Sequence, residues 1–340
     1  MRQLQAELGL DRIIKLASNE GPFGPLPAAV AAFDASAREL NRYPDAGALR
    51  LRQALSERYE VPIEQVVVGN GADELIRFAA LATLDAGQRA VYPWPSFQSY
   101  PTSVAAAAGE AVSVPMRDRA FDLEAVLAAC TGAKLVFVAN PNNPTGTLIS
   151  REDIRVFVEG LPDGVLCVLD EAYAEYAEDE PDGVALVREG RERLCVLRTF
   201  SKVYGLAALR IGYAIASPQI ADALNRVRPI FNVNQPGQEA ALASLHETEA
   251  VARRIAHTRT ARDELYDTLA AAGLDPIPSH GNFVYADVPG GDGDGLADRL
   301  LHAGFIVRAL RAFGAPGAIR VTVGTDEEMR LFAAALSAVA

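Results

Sequence analysis

The segment LCVLRTFSKVYGLAALRIGYAIA, residues 194–216, decides the fold. Its ends, LCVLRT at 194–199 and IGYAIA at 211–216, are short apolar runs of the kind that form strands covered on both faces. Between them Lys202 stands just past the first strand, and Arg210 follows eight positions later. Upstream, the same apolar character recurs in VVV at 66–68, RAVY at 89–92, AVSVP at 111–115, KLVFVA at 134–139 and VLCVLD at 165–170. Helix-like stretches, ADELIRFAALATL, DLEAVLAAC and REDIRVFVEGL, lie between these runs. Seven strands linked by crossover helices predict an α/β fold, with a mostly parallel seven-stranded sheet flanked by helices.

The pattern changes after Asn234. Residues 235–272 are alanine-rich and studded with charges, and read as one or two helices carrying an apolar stripe. NFVYADV at 282–288, a helix DGLADRLLHAG, strands near FIVRAL and IRVTV, and a terminal helix then outline a small α+β unit. Thr325 with Glu328 three residues on has capping-box spacing for the terminal helix. The glycine-rich PGGDGDG reads as a flexible surface turn. The expected division is an N-terminal segment, 1–30, packing with the small domain; a large domain, 31–234; and a linking helix with the small C-terminal domain, 235–340.

Composition narrows the function. The 340 residues are half hydrophobic, enough for a substantial core and too many for one minimal domain. A formal net charge of −12 argues against nucleic acid, whose phosphates need clustered Lys and Arg. The N-terminal MRQLQAELGLDRIIKLASNE has no uninterrupted apolar stretch, so neither a signal peptide nor a membrane span is expected and the cytoplasm is the predicted location. Cys130, Cys167 and Cys195 sit in or beside apolar runs and read as buried thiols in a reducing compartment. His246, His257, His280 and His302 show no metal-ligand spacing, so no metal is expected.

A lysine at a buried strand end can lose solvation, which favours the neutral amine that attacks an aldehyde to form a Schiff base; taken alone, Lys202 reads more often as a solvated lysine. Asp170 ends the strongly apolar VLCVLD, with Tyr173 three residues on. A carboxylate there needs a partner, and a protonated pyridine nitrogen is one; a simple helix N-cap is the alternative. ANPNNPTGTL turns at the C-terminal end of KLVFVA, where open α/β sheets bind ligands, and presents Asn143. GNGADE at 69–74 opens a helix whose free amides suit a phosphate, and Arg210, Thr199 and Ser201 could complete the cup. Arg320 in IRVTVGT and Arg308 in FIVRAL lie in apolar strands and ask for anions, with a structural salt bridge as the competing reading, above all for Arg308.

Together these motifs resemble the fold-type-I pyridoxal-phosphate aminotransferases, most closely the histidinol-phosphate aminotransferase branch. The likeness runs from LASNEGPFGP to IRVTVGT. It implies that Lys202 binds pyridoxal 5'-phosphate covalently and later shuttles a proton between the substrate's Cα and the cofactor's C4'. Asp170 would pair with the pyridine nitrogen, and Tyr173 and Asn143 would hydrogen-bond the 3'-oxygen. Ala72, Asp73, Thr199, Ser201 and Arg210 would hold the phosphate, and Phe97 in PWPSFQSY would stack on the ring. Arg320, Arg308 and Asn19 fall to the substrate, an amino donor exchanging with a 2-oxo acid acceptor. Tyr43, in NRYP, would reach the phosphate of a partner subunit, which implies a homodimer with shared active sites. Two departures bear on substrate: the N-terminal arm is shorter than relatives usually carry, and NEGPFG stands where NENPxG is common. Transfer involving an aromatic amino acid is the alternative within the class, since FGAPGAIRVTVG and RPIFNVNQ also resemble that branch. A decarboxylase of the same fold fits TFSKVYGLAALR and DEAYAEY less well. A non-catalytic ligand sensor would be expected to have lost Lys202, Asp170 or Arg210.

Overall fold

The computed structural model describes residues 2–179 and 181–340. In chain order its strands are β1 (Ile14–Lys15), β2 (Val66–Gly69), β3 (Arg89–Trp94), β4 (Glu110–Pro115), β5 (Ala133–Ala139), β6 (Leu166–Asp170) and β7 (Leu194–Thr199). There follow β8 (Gly212–Ala216), β9 (Asp275–Pro276), β10 (Phe283–Asp287), β11 (Phe305–Ile306), β12 (Arg308–Ala309) and β13 (Ala318–Thr322).

The seven strands expected between 66 and 216 form one sheet, ordered β2-β8-β7-β6-β5-β3-β4. Only β8 runs antiparallel to its neighbours β2 and β7. All residues of β2, β6, β7 and β8 are buried, as an apolar run without alternation demands when helices cover both faces. The helix Ala72–Thr83 packs Leu75, Ile76 and Phe78 on one face, and Val126, Ile154 and Phe157 from two other helices cover the opposite one.

At the C-terminal end of β6, Glu171 and Arg198 form a buried ion pair: Arg198 Nε and Nη2 lie 2.9 and 2.8 Å from Glu171 Oε2. Glu171 Oε1 accepts from Gly183 N–H at 2.8 Å, and Arg198 Nη2 also donates to the Pro181 carbonyl at 3.0 Å. The pair thus ties the residues after Asp170 to the loop before the helix Gly183–Arg188.

The alanine-rich stretch divides into two helices, Gln235–Ser244 and Thr248–Ala271. A four-stranded antiparallel sheet, β12-β13-β10-β9, follows. The terminal helix Asp326–Val339 has the complete capping box expected from Thr325 and Glu328. β1 pairs in parallel with β11, so the N-terminal segment lies against the C-terminal elements. FIVRAL is not one strand but two, interrupted at Val307. PGGDGDG is also more ordered than a flexible turn. Asp292 Oδ1 caps the helix Gly293–His302 by accepting from Gly295 N–H, and a Cβ at Gly293 would stand 2.6 Å from the Ala318 carbonyl oxygen. The second half of that loop is therefore a capped helix start pressed onto a strand. Cys130, Cys167 and Cys195 are buried free thiols, and burial pushes Cys130 up to about 11 and Cys195 up to about 12.

Removing one member of a buried ion pair leaves the other charge uncompensated. Glu171→Ala is expected to lower unfolding stability by about 3 to 5 kcal/mol in urea titrations, and an unchanged midpoint would show that Arg198 is held without it.

Candidate active site

The parallel strands end on one edge of the sheet, and the loops that leave them enclose a cleft of about 250 Å³. Ala72 and Asp73 after β2, Phe97 after β3, Asn143 after β5, and Asp170 and Tyr173 at the end of β6 all line it. Thr199, Ser201, Lys202 and Arg210, from the connection between β7 and β8, line it too. Ten of the residues expected at one site, from five separate segments, are therefore brought together.

One end is built for an anion. The helix Ala72–Thr83 has no side-chain cap, so its first amides face the cleft without a partner of that kind. Gly71 precedes it at φ 81°, and a Cβ there would stand 2.4 Å from Arg210 Nη2. A Cβ on Gly212 of β8 would meet Ala72 N at 2.4 Å. Two glycines thus let backbone, guanidinium and strand close on one another. Arg210 itself has φ 57°, an uncommon left-handed conformation for a non-glycine residue, and Nη1 donates to Ser201 Oγ at 3.4 Å and to the Ala207 carbonyl at 3.2 Å. Thr199 Oγ1 accepts from Ser201 N–H at 3.1 Å.

The middle holds a buried carboxylate. Asp170 Oδ1 accepts from Ala172 N–H at 3.2 Å and Oδ2 from the Tyr100 hydroxyl at 3.0 Å, and no Lys or Arg among the described residues forms an ion pair with it. Burial pushes the carboxyl up to about 6; Tyr100, Ala172 and Lys202 act in the opposite sense. It is not a helix cap. The loop carrying Asn143 is fixed by its neighbours: Asn140 Oδ1 accepts from Ile149 N–H at 2.8 Å, and Asn142 bridges Ser96 Oγ and Thr145 Oγ1, each at 2.8 Å.

Lys202, half-buried, donates from Nζ to the Asn19 carbonyl at 3.0 Å, and Nζ lies 5.1 Å from the centre of the Tyr173 ring. The Asn19 side chain faces neither solvent nor open cleft: Nδ2 donates to Tyr173 Oη and Oδ1 accepts from Thr322 Oγ1, both at 3.0 Å. Asn282 Nδ2 donates to the same Asn19 carbonyl at 3.1 Å.

Arg320, only 3% exposed, does not itself line the cleft but adjoins it through Asn143. Nη1 donates to Asn143 Oδ1, Nη2 to the Ala17 carbonyl at 2.8 Å, and Nε has no partner. Its guanidinium carbon lies 5.2 Å from the Phe283 ring centre and 5.8 Å from that of Phe313. Burial lowers its affinity for its proton to about 10, and no carboxylate among the described residues pairs with it. Arg308, its register partner across β12 and β13, is exposed and donates to the Ala17 carbonyl at 3.4 Å. Neither arginine belongs to a salt bridge among the described residues. Tyr43 does not line this cleft: it is 82% exposed and stacks on Phe231 at 4.6 Å. Another hollow of about 230 Å³, beside Arg151 and Arg155, has those charges already paired with Asp179 and Glu189.

Sequence reasoning missed Tyr100, Asn282 and Gly212. Tyr100 had only its place in PWPSFQSY beside Phe97 as a signal. Asn282 and Gly212 had none, because close approaches across 263 and 140 residues leave no local pattern.

The chain belongs to the class I and II aminotransferases, whose family model matches residues 11–336. It is accordingly a pyridoxal-phosphate-dependent transferase. Among its relatives, the histidinol-phosphate aminotransferase of Moorella thermoacetica is 40% identical over 99% of this chain and 88% of its own length. Histidinol-phosphate aminotransferase 2 of Pseudomonas aeruginosa is 44% identical over 99% and 92%. The crystal structure of the Sinorhizobium meliloti histidinol-phosphate aminotransferase in complex with pyridoxal-5'-phosphate superposes with a TM-score of 0.93 at 32% identity, covering 99% of this chain and 93% of that one.

The residues present fit that cofactor. A buried carboxylate without a cation, an uncapped helix start beside Arg210, and a lysine between them match its ring nitrogen, phosphate and aldehyde. A carboxyl that holds its proton more tightly folded than unfolded loses stabilising effect as pH rises from about 4 to about 6. Asp170→Asn should therefore leave the cofactor-free melting temperature close to the parent's near pH 4.5 and above it near pH 7.5. Equal differences at both pH values would contradict the burial argument.

Proposed function

We propose that this chain transfers the amino group of histidinol phosphate to 2-oxoglutarate in a ping-pong cycle, with pyridoxal 5'-phosphate on Lys202. The observation that carries this reading is Arg320: a buried guanidinium facing no carboxylate, beside an exposed Arg308, in a chain whose relatives are histidinol-phosphate aminotransferases. Both substrates are anionic, one through a phosphate and the other through carboxylates, and a bidentate arginine fork serves either.

When bound, the cofactor supplies the electron sink that makes the substrate's Cα–H acidic. Lys202 Nζ would hold it covalently and, as the free amine, would carry the proton between Cα and C4'. The Asn19 carbonyl steadies that amine. Asp170 keeps the ring nitrogen protonated. Tyr173, oriented by Asn19, and Asn143, oriented by Arg320, reach the 3'-oxygen. The amides of Ala72 and Asp73, with Thr199, Ser201 and Arg210, take the phosphate, and Phe97 covers the ring face. Asn19 serves the substrate through Tyr173, and Arg308 meets the substrate's distal anion.

The division into 31–234, 235–340 and an N-terminal 1–30 that packs on the latter is supported by the β1–β11 pairing. Tyr43, exposed and away from this chain's own cleft, supports a homodimer in which it completes the partner's phosphate site. No described helix is long and apolar enough to cross a membrane, and the cytoplasm is the proposed location.

The test adds histidinol phosphate, glutamate and phenylalanine separately to the purified protein and follows the visible band of the bound cofactor. Histidinol phosphate and glutamate should bleach it and Lys202→Ala should show no such band; preferential bleaching by phenylalanine would replace the proposal with the aromatic reading. Arg320→Leu should lower kcat/KM for glutamate by an amount equivalent to about 2 to 5 kcal/mol, and an unchanged value would remove Arg320 from substrate binding.

A further inference from the structure

Asp170 has one side-chain donor of its own, Tyr100, and the fold packs that donor closely. Tyr100 is fully buried on the helix Ser99–Ala106. Its ring lies parallel to Phe137 of β5, with centroids 4.9 Å apart and planes 4° apart. Phe97 meets it edge-on at 5.9 Å, and Tyr92 of β3 stands 6.4 Å away. Packed on three sides, the ring carries its hydroxyl to Asp170 Oδ2, to which it donates at 3.0 Å, with the Ser96 side chain also beside it. Ala172 N–H supplies the other oxygen from the backbone. Every other charged group that acts on this carboxylate does so from across the cleft, Lys202 favouring its ionised form and Asp73 opposing it. A hydrogen bond donated to a carboxylate favours the charged form and fixes the direction of the remaining lone pairs.

We propose that Tyr100 is a positioning residue for the cofactor's ring nitrogen: its hydroxyl, donating to Oδ2, holds Asp170 charged and aimed at that nitrogen. The inference rests on the pairing of Asp170 with the ring nitrogen. No group is transferred through Tyr100, and its phenolic proton stays on oxygen, since burial and the neighbouring carboxylate hold it far above the usual tyrosine range.

Tyr100→Phe keeps the ring and its packing and removes only the hydroxyl. Its affinity for pyridoxal 5'-phosphate would be measured against its affinity for an analogue whose ring nitrogen is replaced by C–H, with Asp170→Asn run in parallel. Tyr100→Phe should loosen the natural cofactor about tenfold or more, the effect of losing a hydrogen bond to a charged group, and leave the analogue within about twofold of the parent protein's affinity by the same reasoning. Retention of the analogue also shows that the variant folds. Equal loosening of both compounds would make Tyr100 a packing residue only, and loosening of neither would remove it from the site; either result overturns the proposal. If Asp170→Asn itself fails to distinguish the compounds, the pairing of Asp170 with the ring nitrogen falls. If Asp170→Asn distinguishes them and Tyr100→Phe does not, only the role of Tyr100 falls.

Discussion

The chemistry of this protein hangs from one constraint: six strands of the seven-stranded sheet point the same way, so their loops leave from one edge. Parallel pairing obliges each crossover to return along a face of the sheet, and it gathers at that edge side chains as far apart in the chain as Ala72 and Arg210. β8, the single reversed strand, belongs to the same arrangement. Lying antiparallel between β2 and β7, it brings Gly212 against the helix start at Ala72, which a second parallel crossover would not do in twelve residues.

Buried charge is treated in two ways here. Arg198 and Glu171 satisfy each other and stiffen the strand end, and that charge is spent on architecture. Asp170 and Arg320 are also buried, and neither forms an ion pair with an opposite charge among the described residues. Neutral donors and acceptors hold them in place: a tyrosine and a backbone amide for the acid, an asparagine and a backbone carbonyl for the base. Such groups orient a charge without cancelling it, which leaves the charge available to a ligand.

Most of this was legible in the sequence. Apolar runs such as LCVLRT announced strands covered on both sides, and the polar ends of two of them, Asp170 and Thr199, marked the cleft wall. The strand positions follow from that reading, and the residues grouped around Lys202 from the family resemblance of their motifs. What was not legible depends on contacts between distant segments. PGGDGDG looked like a loose turn because glycine is read as freedom, whereas Gly293 is there for lack of space against Ala318. FIVRAL looked continuous, yet Arg308 reaches solvent because the strand breaks at Val307. Tyr100 was hidden by its apolar surroundings, which make a buried tyrosine indistinguishable from a core aromatic until its hydroxyl is seen to have a partner.

The bond between Asn19 and Thr322 spans 303 positions, and the carbonyl that receives Lys202 belongs to the same Asn19. Ribosomes deliver the N-terminal side of a chain first and domains fold as they emerge. The seven-stranded sheet can therefore assemble during synthesis, while the residues around Asn19 must wait until β13 has been made. A nascent chain carrying a fully formed sheet still lacks the contacts that hold Asn19 against Lys202, so catalytic competence arrives later than the fold that supports it.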